Sequence, residues 1–354
     1  MPALFQLRCL AMAMLILASG AGTGTGSAAG FDDTAVARFS YPDWFRTSFY
    51  DLGDDLADAR EHGKSGILLF FSTSGCSYCK KMLDGSFAAP AFAARLRERY
   101  DVIGLEIFSD SEITDWAGRT RSLSDFARAQ GVQFSPTLMF LDLDGRRQLR
   151  LVGYYDTAFL FDVLEYLDSG AAARLSLRDW RAAAARLAAP EEQTEPLITD
   201  PLFAKPPYQL DRRHIPAGHP LMVLFAGNGC VPCADFHREV LSEPAIRDAL
   251  DEFEVVRLDT DDDTGRLVAP DGRIWTAAAW HRELGFSRLP AFAVFDEQGK
   301  LLLQTDALVL RGRFDRMLSY VLQRVYEEGW SFQRYARSES IRQLRERQTA
   351  DAEH

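Results

Sequence analysis

Gly66-Ile-Leu-Leu-Phe-Phe-Ser-Thr-Ser-Gly-Cys-Ser-Tyr-Cys79 is the stretch that decides the fold, and Leu221-Met-Val-Leu-Phe-Ala-Gly-Asn-Gly-Cys-Val-Pro-Cys233 repeats its pattern. Each stretch begins with a short, continuous apolar run, which is typical of a central strand that is buried on both faces. A tight turn follows, and a helical pattern begins at the first cysteine of a Cys-x-x-Cys motif. The sequence therefore predicts, twice in one chain, a strand, a turn and a helix that opens with two cysteines.

An isolated proline follows each motif at the same distance. Pro136 lies 60 residues after Cys76, and Pro290 lies 60 residues after Cys230. Four further pairs keep the offset of 154 residues between the two copies, namely Gly131/Gly285, Pro90/Pro244, Phe71/Phe225 and Gly145/Gly299. Self-similarity at a fixed spacing indicates an internal repeat, so one redox-type unit occurs twice.

Hydrophobic spacing predicts the same order of elements in both copies. In the first copy it predicts a helix over 49–64, strands over 66–71 and 102–107, a helix over 123–129, a hairpin over 137–141 and 148–152, and a closing helix over 159–167. In the second copy it predicts strands over 221–225, 254–258, 290–295 and 301–303, and a closing helix over 314–325. The fold class that follows is α/β, with two tandem domains.

The division of the chain follows from the repeat and from local composition. We expect a signal peptide over 1–29, a first domain over 30–186, a linker over 187–212, a second domain over 213–340 and a charged tail over 341–354. The apolar run Leu10–Ala18 is too short to span a bilayer, and Ser27-Ala28-Ala29 fits a small-x-small cleavage site. We therefore predict a periplasmic or otherwise exported protein that is soluble after signal cleavage and has no stable membrane insertion.

Charge and cysteine content narrow the function. The net charge is −11 and no cluster of Lys and Arg stands out, which argues against a nucleic-acid partner. Removal of the predicted signal peptide removes Cys9 and leaves four cysteines, all of them in the two motifs. Exported proteins that use disulfides as staples scatter cysteines over many loops, and this chain has no cysteine to spare for that purpose.

The spacing of the motif suits thiol chemistry. A cysteine reacts as its thiolate, which a helix N-terminus stabilises through unpaired backbone N–H groups and the helix dipole. A second cysteine three positions later lies one helical turn away, within reach of the first. The alternatives are a disulfide staple, which would close almost no loop, and a zinc site, which needs four ligands rather than two. We therefore predict catalytic dithiols, in which Cys76 and Cys230 attack while Cys79 and Cys233 resolve the mixed disulfide.

Both halves resemble the thioredoxin family, over 49–167 and 220–325. The strand–CxxC–helix order, the downstream proline before a strand and the hairpin carry this resemblance. It implies two thioredoxin-like domains, each with a central mixed β-sheet flanked by helices. It also implies that the Ser135–Pro136 and Leu289–Pro290 bonds are cis and face the dithiols. Ser135, Pro136, Leu289 and Pro290 would then shape the grooves that bind the extended chain of a substrate protein.

The first half resembles more narrowly the exported thioredoxins of the sulfur-oxidation system, the SoxW type. The residues that carry this narrower resemblance are Gly75-Cys-Ser-Tyr-Cys-Lys-Lys81, Ser135-Pro-Thr137 and Gly153-Tyr-Tyr155. It implies that sulfur-oxidation proteins are among the candidate partners.

One departure from common thioredoxins concerns proton transfer. Those proteins place a buried Asp six residues before the first cysteine, whereas this chain has Phe70 and Leu224 there. Proton transfer from Cys79 or Cys233 must then use water or another group. His237 lies four residues after Cys233, and we expect it to be a solvated surface residue because most polar side chains are exposed.

The predicted function is thiol–disulfide exchange with protein partners, without an organic cofactor or a bound metal. The family resemblance implies that a histidine between the cysteines favours a strong oxidant. Ser77-Tyr78 and Val231-Pro232 contain no histidine, and Val-Pro is similar to the Gly-Pro of reducing thioredoxins. The favoured direction is reduction, with a membrane thiol reductase as electron donor. The alternatives are a disulfide oxidase or isomerase and, in a different class, a redox-inactive holdase that binds peptides.

Overall fold

The computed structural model describes residues 31–187 and 197–352. The predicted signal peptide and part of the predicted linker lie outside the described residues. Within these two ranges, no helix combines the length and the apolar character that a membrane span requires. The strands and helices, in chain order, are β1 (Val36–Ala37), α1 (Leu52–Glu61), β2 (Gly66–Ser72), β3 (Gly75–Cys76), α2 (Ser77–Asp84), α3 (Pro90–Arg99), β4 (Tyr100–Glu106), β5 (Glu112–Thr114), β6 (Thr120–Ser122), α4 (Leu123–Ala129), β7 (Thr137–Asp142), β8 (Arg147–Val152), α5 (Thr157–Asp168), α6 (Leu177–Leu187), β9 (Leu221–Ala226), α7 (Val231–Phe236), α8 (Pro244–Leu250), β10 (Glu254–Asp259), β11 (Leu267–Val268), β12 (Ile274–Trp275), α9 (Ala277–Glu283), β13 (Ala291–Phe295), β14 (Leu301–Thr305), α10 (Arg311–Leu322) and α11 (Phe332–Ala352).

The first domain is built on a four-stranded sheet in the order β4-β2-β7-β8. Strand β2 pairs in parallel with β4 and antiparallel with β7, and β7 turns back antiparallel into β8. Every residue of β2 is buried, as expected for a central strand that is covered on both faces. Helices α2, α3 and α5 pack against one face of the sheet, and α1 and α4 pack against the other.

The second domain repeats this arrangement in the order β10-β9-β13-β14. Strand β9 is again parallel to one neighbour and antiparallel to the other, and all of its residues are buried. Helices α7, α8 and α10 contribute to the core on one side of this sheet, and α9 contributes to the core on the other. The prediction of two mixed sheets, each flanked by helices, is confirmed.

Segments outside the two sheets pack against the domains. Strand β1 pairs antiparallel with β3, so that Val36 lies opposite Cys76. Within the predicted linker, Phe203 is buried in the core of the second domain. Helix α11 begins before the predicted charged tail and continues into it. The predicted domain limits themselves stay predictions.

The two domains contact each other through the loops that carry the two prolines. Phe134 packs against Phe332 of α11, with 4.9 Å between the ring centroids. In the other loop, Arg288 donates a hydrogen bond to the carbonyl oxygen of Tyr154 over 3.2 Å and lies 4.5 Å from the centre of the Tyr155 ring. Each proline loop therefore packs against the opposite domain, and the two dithiols acquire different surroundings.

Candidate redox sites

In both domains the first cysteine of the motif caps the helix that follows it. Cys76 is the N-cap of α2, and Cys230 is the N-cap of α7. The cysteines of each pair form a disulfide with Cα atoms 5.2 Å apart. The backbone N–H of Cys79 donates to the Cys76 sulfur over 3.0 Å, and that of Cys233 donates to the Cys230 sulfur over 3.2 Å. After reduction, this donor and the helix N-terminus stabilise a thiolate on the first cysteine.

The proline loops lie beside the motifs. Both peptide bonds, Ser135–Pro136 and Leu289–Pro290, are cis, as the resemblance implies. Ser135 lines the same cavity as Cys76. In the second domain, Leu289 and Pro290 line the same groove as Pro232, which lies between the cysteines of the second motif. The fold thus places Ser135 beside Cys76 in the first domain, and Leu289 and Pro290 beside the second motif in the second domain.

The dipeptide of the first motif is buried against the second domain. The Tyr78 side chain is only 2% exposed. Its hydroxyl donates to Asp33 Oδ2 over 2.9 Å and accepts a hydrogen bond from the backbone N–H of Leu310 over 3.2 Å. Leu310 is the N-cap of α10, so a side chain of the first motif satisfies a donor at the start of a second-domain helix. Burial raises the pKa of Tyr78 well above its usual range, which keeps the hydroxyl protonated and able to donate.

A buried arginine of α10, in the second domain, contacts the first redox site. The guanidinium carbon of Arg313 lies 3.6 Å from the centre of the Tyr78 ring. Its Nη2 donates to the carbonyl oxygen of Ser135 over 2.8 Å, and Gln333 of α11 donates to the Ser135 hydroxyl over 2.9 Å. The carbonyl and hydroxyl oxygens of Ser135, the residue before the first cis-proline, therefore accept hydrogen bonds from the second domain. The predicted role of Ser135 and Pro136 in substrate binding stays a prediction.

The second motif is far more open. Val231 is 43% exposed, and Pro232 is also exposed. A groove of about 170 Å³ runs beside Pro232, and its wall includes Leu289, Pro290 and Leu308. This dipeptide and its apolar groove are accessible to an extended chain, in contrast to their counterparts in the first domain.

Neither domain has an acid at the position six residues before the first cysteine. Phe70 is fully buried at this position in the first domain, and Leu224 is buried at the equivalent position in the second. In the second domain, a small cavity brings Leu224 together with Cys230, Cys233 and His237. The wall of this cavity therefore includes an imidazole together with both cysteines of the second motif.

The surroundings of His237 differ from the expectation. Its side chain is 19% exposed, and its Nε2 lies 2.8 Å from Asp200 Oδ2. Arg247 donates to the other oxygen of Asp200 over 2.9 Å, and hydrogen bonds from Arg247 hold the pKa of Asp200 well below its usual range. The expectation of a solvated surface histidine is wrong because the predicted linker packs against the C-terminal end of α7 and supplies Asp200 as a partner for His237.

Sequence reasoning did not identify the residues that cover the first site. Asp33, Arg313 and Gln333 come from three separate segments, and no motif marks any of them. The sequence did contain one signal, at the start of the closing helix, where Arg313 and Arg316 lie among apolar residues at helical spacing. In the structure both arginines are buried, although arginine usually lies at the surface.

Comparison with known families supports the assignment that the geometry suggests. The thioredoxin-like domain family matches the chain twice, over residues 52–168 and 212–322, which together make up more than half of its length. The chain therefore belongs to the thioredoxin-like domain family, and its two Cys-x-x-Cys pairs make it a thiol–disulfide oxidoreductase. Among curated proteins, none matches the chain in sequence.

Solved structures with similar folds include thioredoxins and Dsb-type domains. A thioredoxin-fold protein from Helicobacter pylori is 21% identical over 39% of this chain and 98% of its own, with a TM-score of 0.30. A thioredoxin from Thermus thermophilus is 22% identical over 33% of this chain and 84% of its own, with a TM-score of 0.28. The C-terminal domain of DsbD from Neisseria meningitidis, in its reduced form, is 19% identical over 31% of this chain and 87% of its own, with a TM-score of 0.25. The narrower resemblance to the SoxW type stays a prediction.

Proposed function

We propose that the chain is an exported reductant of disulfides in substrate proteins, and that its second dithiol, Cys230–Cys233, is the site that meets those proteins. The observation that carries this proposal is the contrast between the two dipeptides. Tyr78 is 2% exposed, whereas Val231 is 43% exposed. Attack on a disulfide in a protein requires that a sulfur of the substrate approach the first cysteine in line, and a bulky partner needs free space around the motif.

The groove beside the second motif has the features that suit an extended substrate chain. Its wall is largely apolar, with Leu289, Leu308, Val309 and Pro290 among the residues that line it. Recognition through such a groove combines apolar side-chain contacts with hydrogen bonds to the backbone next to the cis-proline. Leu289 and Pro290 are thus the substrate-binding residues of this proposal.

The proposed direction of electron transfer and the proposed export of the protein rest on the sequence. The Val231-Pro232 dipeptide is similar to that of reducing thioredoxins, and no histidine lies between either pair of cysteines. A reductant in an oxidising compartment needs a supply of electrons, for which a membrane thiol reductase is the candidate donor. The predicted signal peptide supports export, and the resemblance of the first half makes sulfur-oxidation proteins candidate substrates.

The decisive experiment measures the reduction potential of each dithiol in a variant that lacks the other. Cys76→Ser with Cys79→Ser isolates the second dithiol, and Cys230→Ser with Cys233→Ser isolates the first. For the second dithiol, a potential near that of thioredoxin, about −270 mV, is expected for a reductant. A potential near that of a strong oxidant, about −120 mV, would overturn the direction and favour disulfide formation.

The holdase alternative is tested with the variant in which all four motif cysteines are serine. A redox-inactive peptide binder would protect an unfolding substrate protein as well in this variant as in the unchanged chain. We expect instead that the variant loses all disulfide reductase activity and protects no better than an unrelated protein of equal size.

A further inference from the structure

A cavity beside the first dithiol carries charge that the chemistry described above does not use. Its volume is about 80 Å³, and its wall includes Cys76, Ser135, Arg313 and Arg316. A single water needs about 10–15 Å³ on this scale, so the cavity accommodates a molecule of several non-hydrogen atoms but not a folded chain. Of the two sulfurs, that of Cys76 is the one this cavity reaches, since Cys79 is completely buried.

Two arginines on the wall of this cavity are buried and incompletely hydrogen bonded. Arg313 and Arg316 are each 8% exposed. Across the part of the chain that the structure describes, Arg313 Nη1 and Arg316 Nε have no hydrogen-bond partner. An unpaired donor on a buried cation is costly, because the group has lost water and gained nothing in return. Guanidinium groups on the wall of a cavity bind oxyanions through charge-assisted hydrogen bonds, so these two arginines suit an anionic ligand.

Asp33, Glu339 and Asp315 attract Arg316, and Asp33 also attracts Arg313. Among the described residues, however, no acidic side chain forms a salt bridge with either arginine. Asp33 also lines the cavity, but its carboxylate already accepts hydrogen bonds from Tyr78 and from two backbone N–H groups at the start of α10. Glu339 forms an ion pair with Arg342. Among the described residues that line the cavity, Arg337 is a third cation and Asp33 is the one acid. The cavity is therefore electropositive next to a reactive sulfur.

We propose that the first dithiol is a site for small anionic thiols and disulfides, that is, low-molecular-weight sulfur compounds that carry an oxyanion such as a carboxylate. This inference rests on the proposed function and names the substrate class of its other dithiol. Hydrogen bonds to the second domain occupy Ser135, where a protein substrate would bind, and the cavity that reaches Cys76 has room only for a small molecule. The buried arginines select one with a negative charge.

The exchange at this site balances without a further reactant. The thiolate of the small acid attacks the Cys76 sulfur, the bond to Cys79 breaks, and Cys79 leaves as a thiolate that takes up the proton lost by the attacking thiol. A second molecule of the small thiol then attacks the small molecule's own sulfur in the mixed disulfide and releases Cys76. In total, two small thiols are oxidised to one small disulfide, and the protein disulfide gains two electrons and two protons.

The test compares three small thiols of similar size, namely mercaptopropionate, mercaptoethanol and cysteamine, which are anionic, neutral and cationic. Each reduces the first disulfide in the Cys230→Ser/Cys233→Ser variant and the second disulfide in the Cys76→Ser/Cys79→Ser variant. For each thiol, the rate at the first disulfide is divided by the rate at the second, so that the intrinsic reactivity of the thiol cancels. We expect this ratio to be about tenfold higher for mercaptopropionate than for mercaptoethanol, and lowest for cysteamine. A ratio that does not change with the charge of the thiol would overturn the inference.

Two further measurements guard against a change that merely disturbs folding. Inorganic sulfate, added to the Cys230→Ser/Cys233→Ser variant at constant ionic strength, should slow reduction by mercaptopropionate at the first disulfide, and no slowing contradicts an anion site. Arg316→Met should abolish the preference for the anionic thiol, whereas Arg334→Met, which removes an exposed charge from α11, should retain it.

Failure of the second dithiol to reduce any protein disulfide would contradict the proposed function. Absence of the charge preference in the chain with both arginines intact would contradict only this inference.

Discussion

The guanidinium of Arg313 lies 3.6 Å from the centre of the Tyr78 ring, so a cation of the second domain stacks on the dipeptide between the cysteines of the first dithiol. In an isolated thioredoxin-like domain, that dipeptide would lie at the surface where the substrate binds. Here the dipeptide lies in the interface between the two domains. As a consequence, the first dithiol is a covered site, whereas the second dithiol is an open site.

The stacked arginine should be important for stability. Replacement of Arg313 by Lys keeps the charge but loses the planar stack on Tyr78 and the hydrogen bond to Ser135, so we expect a loss of about 2 kcal/mol in the free energy of unfolding. Urea denaturation with both disulfides intact measures it. The matched control is Arg334→Lys, because Arg334 stacks on Trp330 at 4.1 Å but is exposed, and its loss should be about 0.5 kcal/mol or less. Equal losses would contradict a special role for Arg313.

A glycine marks a close approach of the two domains. Gly153 has φ +94°, and a Cβ at this position would lie 2.0 Å from the Cβ of Ala307 in the second domain. Gly170 has a similar left-handed backbone, φ +67°, with nothing within 4 Å of the added atom. Replacement by Ala should cost about 1–2 kcal/mol at either position because of the backbone conformation. At Gly153 the clash should add about 1–3 kcal/mol, measured as the difference between the two urea denaturation curves.

The second readout for the Gly153→Ala variant is the accessibility of the first dithiol. If the clash separates the domains, Cys76 should react faster with iodoacetamide after reduction, whereas Gly170→Ala should leave that rate unchanged. Identical rates in both variants would mean that contact with Ala307 does not keep the first site covered.

A buried histidine should make stability depend on pH. Arg178 Nη1 lies 3.1 Å from His281 Nδ1, and His281 Nε2 lies 3.3 Å from the carbonyl oxygen of Arg288. A guanidinium only donates, so Nδ1 accepts, Nε2–H donates, and the imidazole is neutral. Burial, with a smaller effect from the Arg178 charge, lowers the pKa of His281 from 6.5 to about 4.

The sign of the effect follows from which state takes up the proton first. Below pH 6.5 the unfolded chain protonates His281 while the folded protein does not, so this residue destabilises the fold progressively as the pH falls from 6.5 to about 4. The full effect is on the order of 3 kcal/mol. It should disappear in His281→Gln and persist in His214→Gln, which changes an exposed histidine. Parallel pH profiles for the unchanged protein and His281→Gln would show that the imidazole is not buried in the neutral form.

Local patterns predicted the parts of the fold that depend on neighbouring residues. The apolar run of β2 requires burial on both faces, and the spacing of Cys76 and Cys79 requires a helix that starts at the motif. Each feature depends on residues that lie within a few positions of one another, so it can be predicted from the sequence alone. The doubled distance to Pro136 and Pro290 extended the prediction to the cis peptide bonds, through the family resemblance.

The environment of each dithiol could not be predicted in this way. Tyr78 contacts Asp33 and Leu310, which lie 45 and 232 residues away in the sequence, and no periodicity connects such positions. His237 resembled a surface residue because its partner, Asp200, belongs to a segment whose composition indicated a linker. Asymmetry between two copies of one unit arises from how the domains pack, and the repeat itself carries no information about that packing.

The most direct test of the division between a covered and an open site is to trap a substrate protein on single motif cysteines. One variant keeps Cys230 and changes Cys76, Cys79 and Cys233 to Ser, and the other keeps Cys76 and changes the remaining three. Each is incubated with a folded protein that has an accessible disulfide, and the mixed disulfide is quantified by mass spectrometry. As a control, both cysteines should react equally in denaturing urea. Under native conditions, an adduct at Cys230 with little or none at Cys76 is the predicted result, and an equal or greater yield at Cys76 would contradict it.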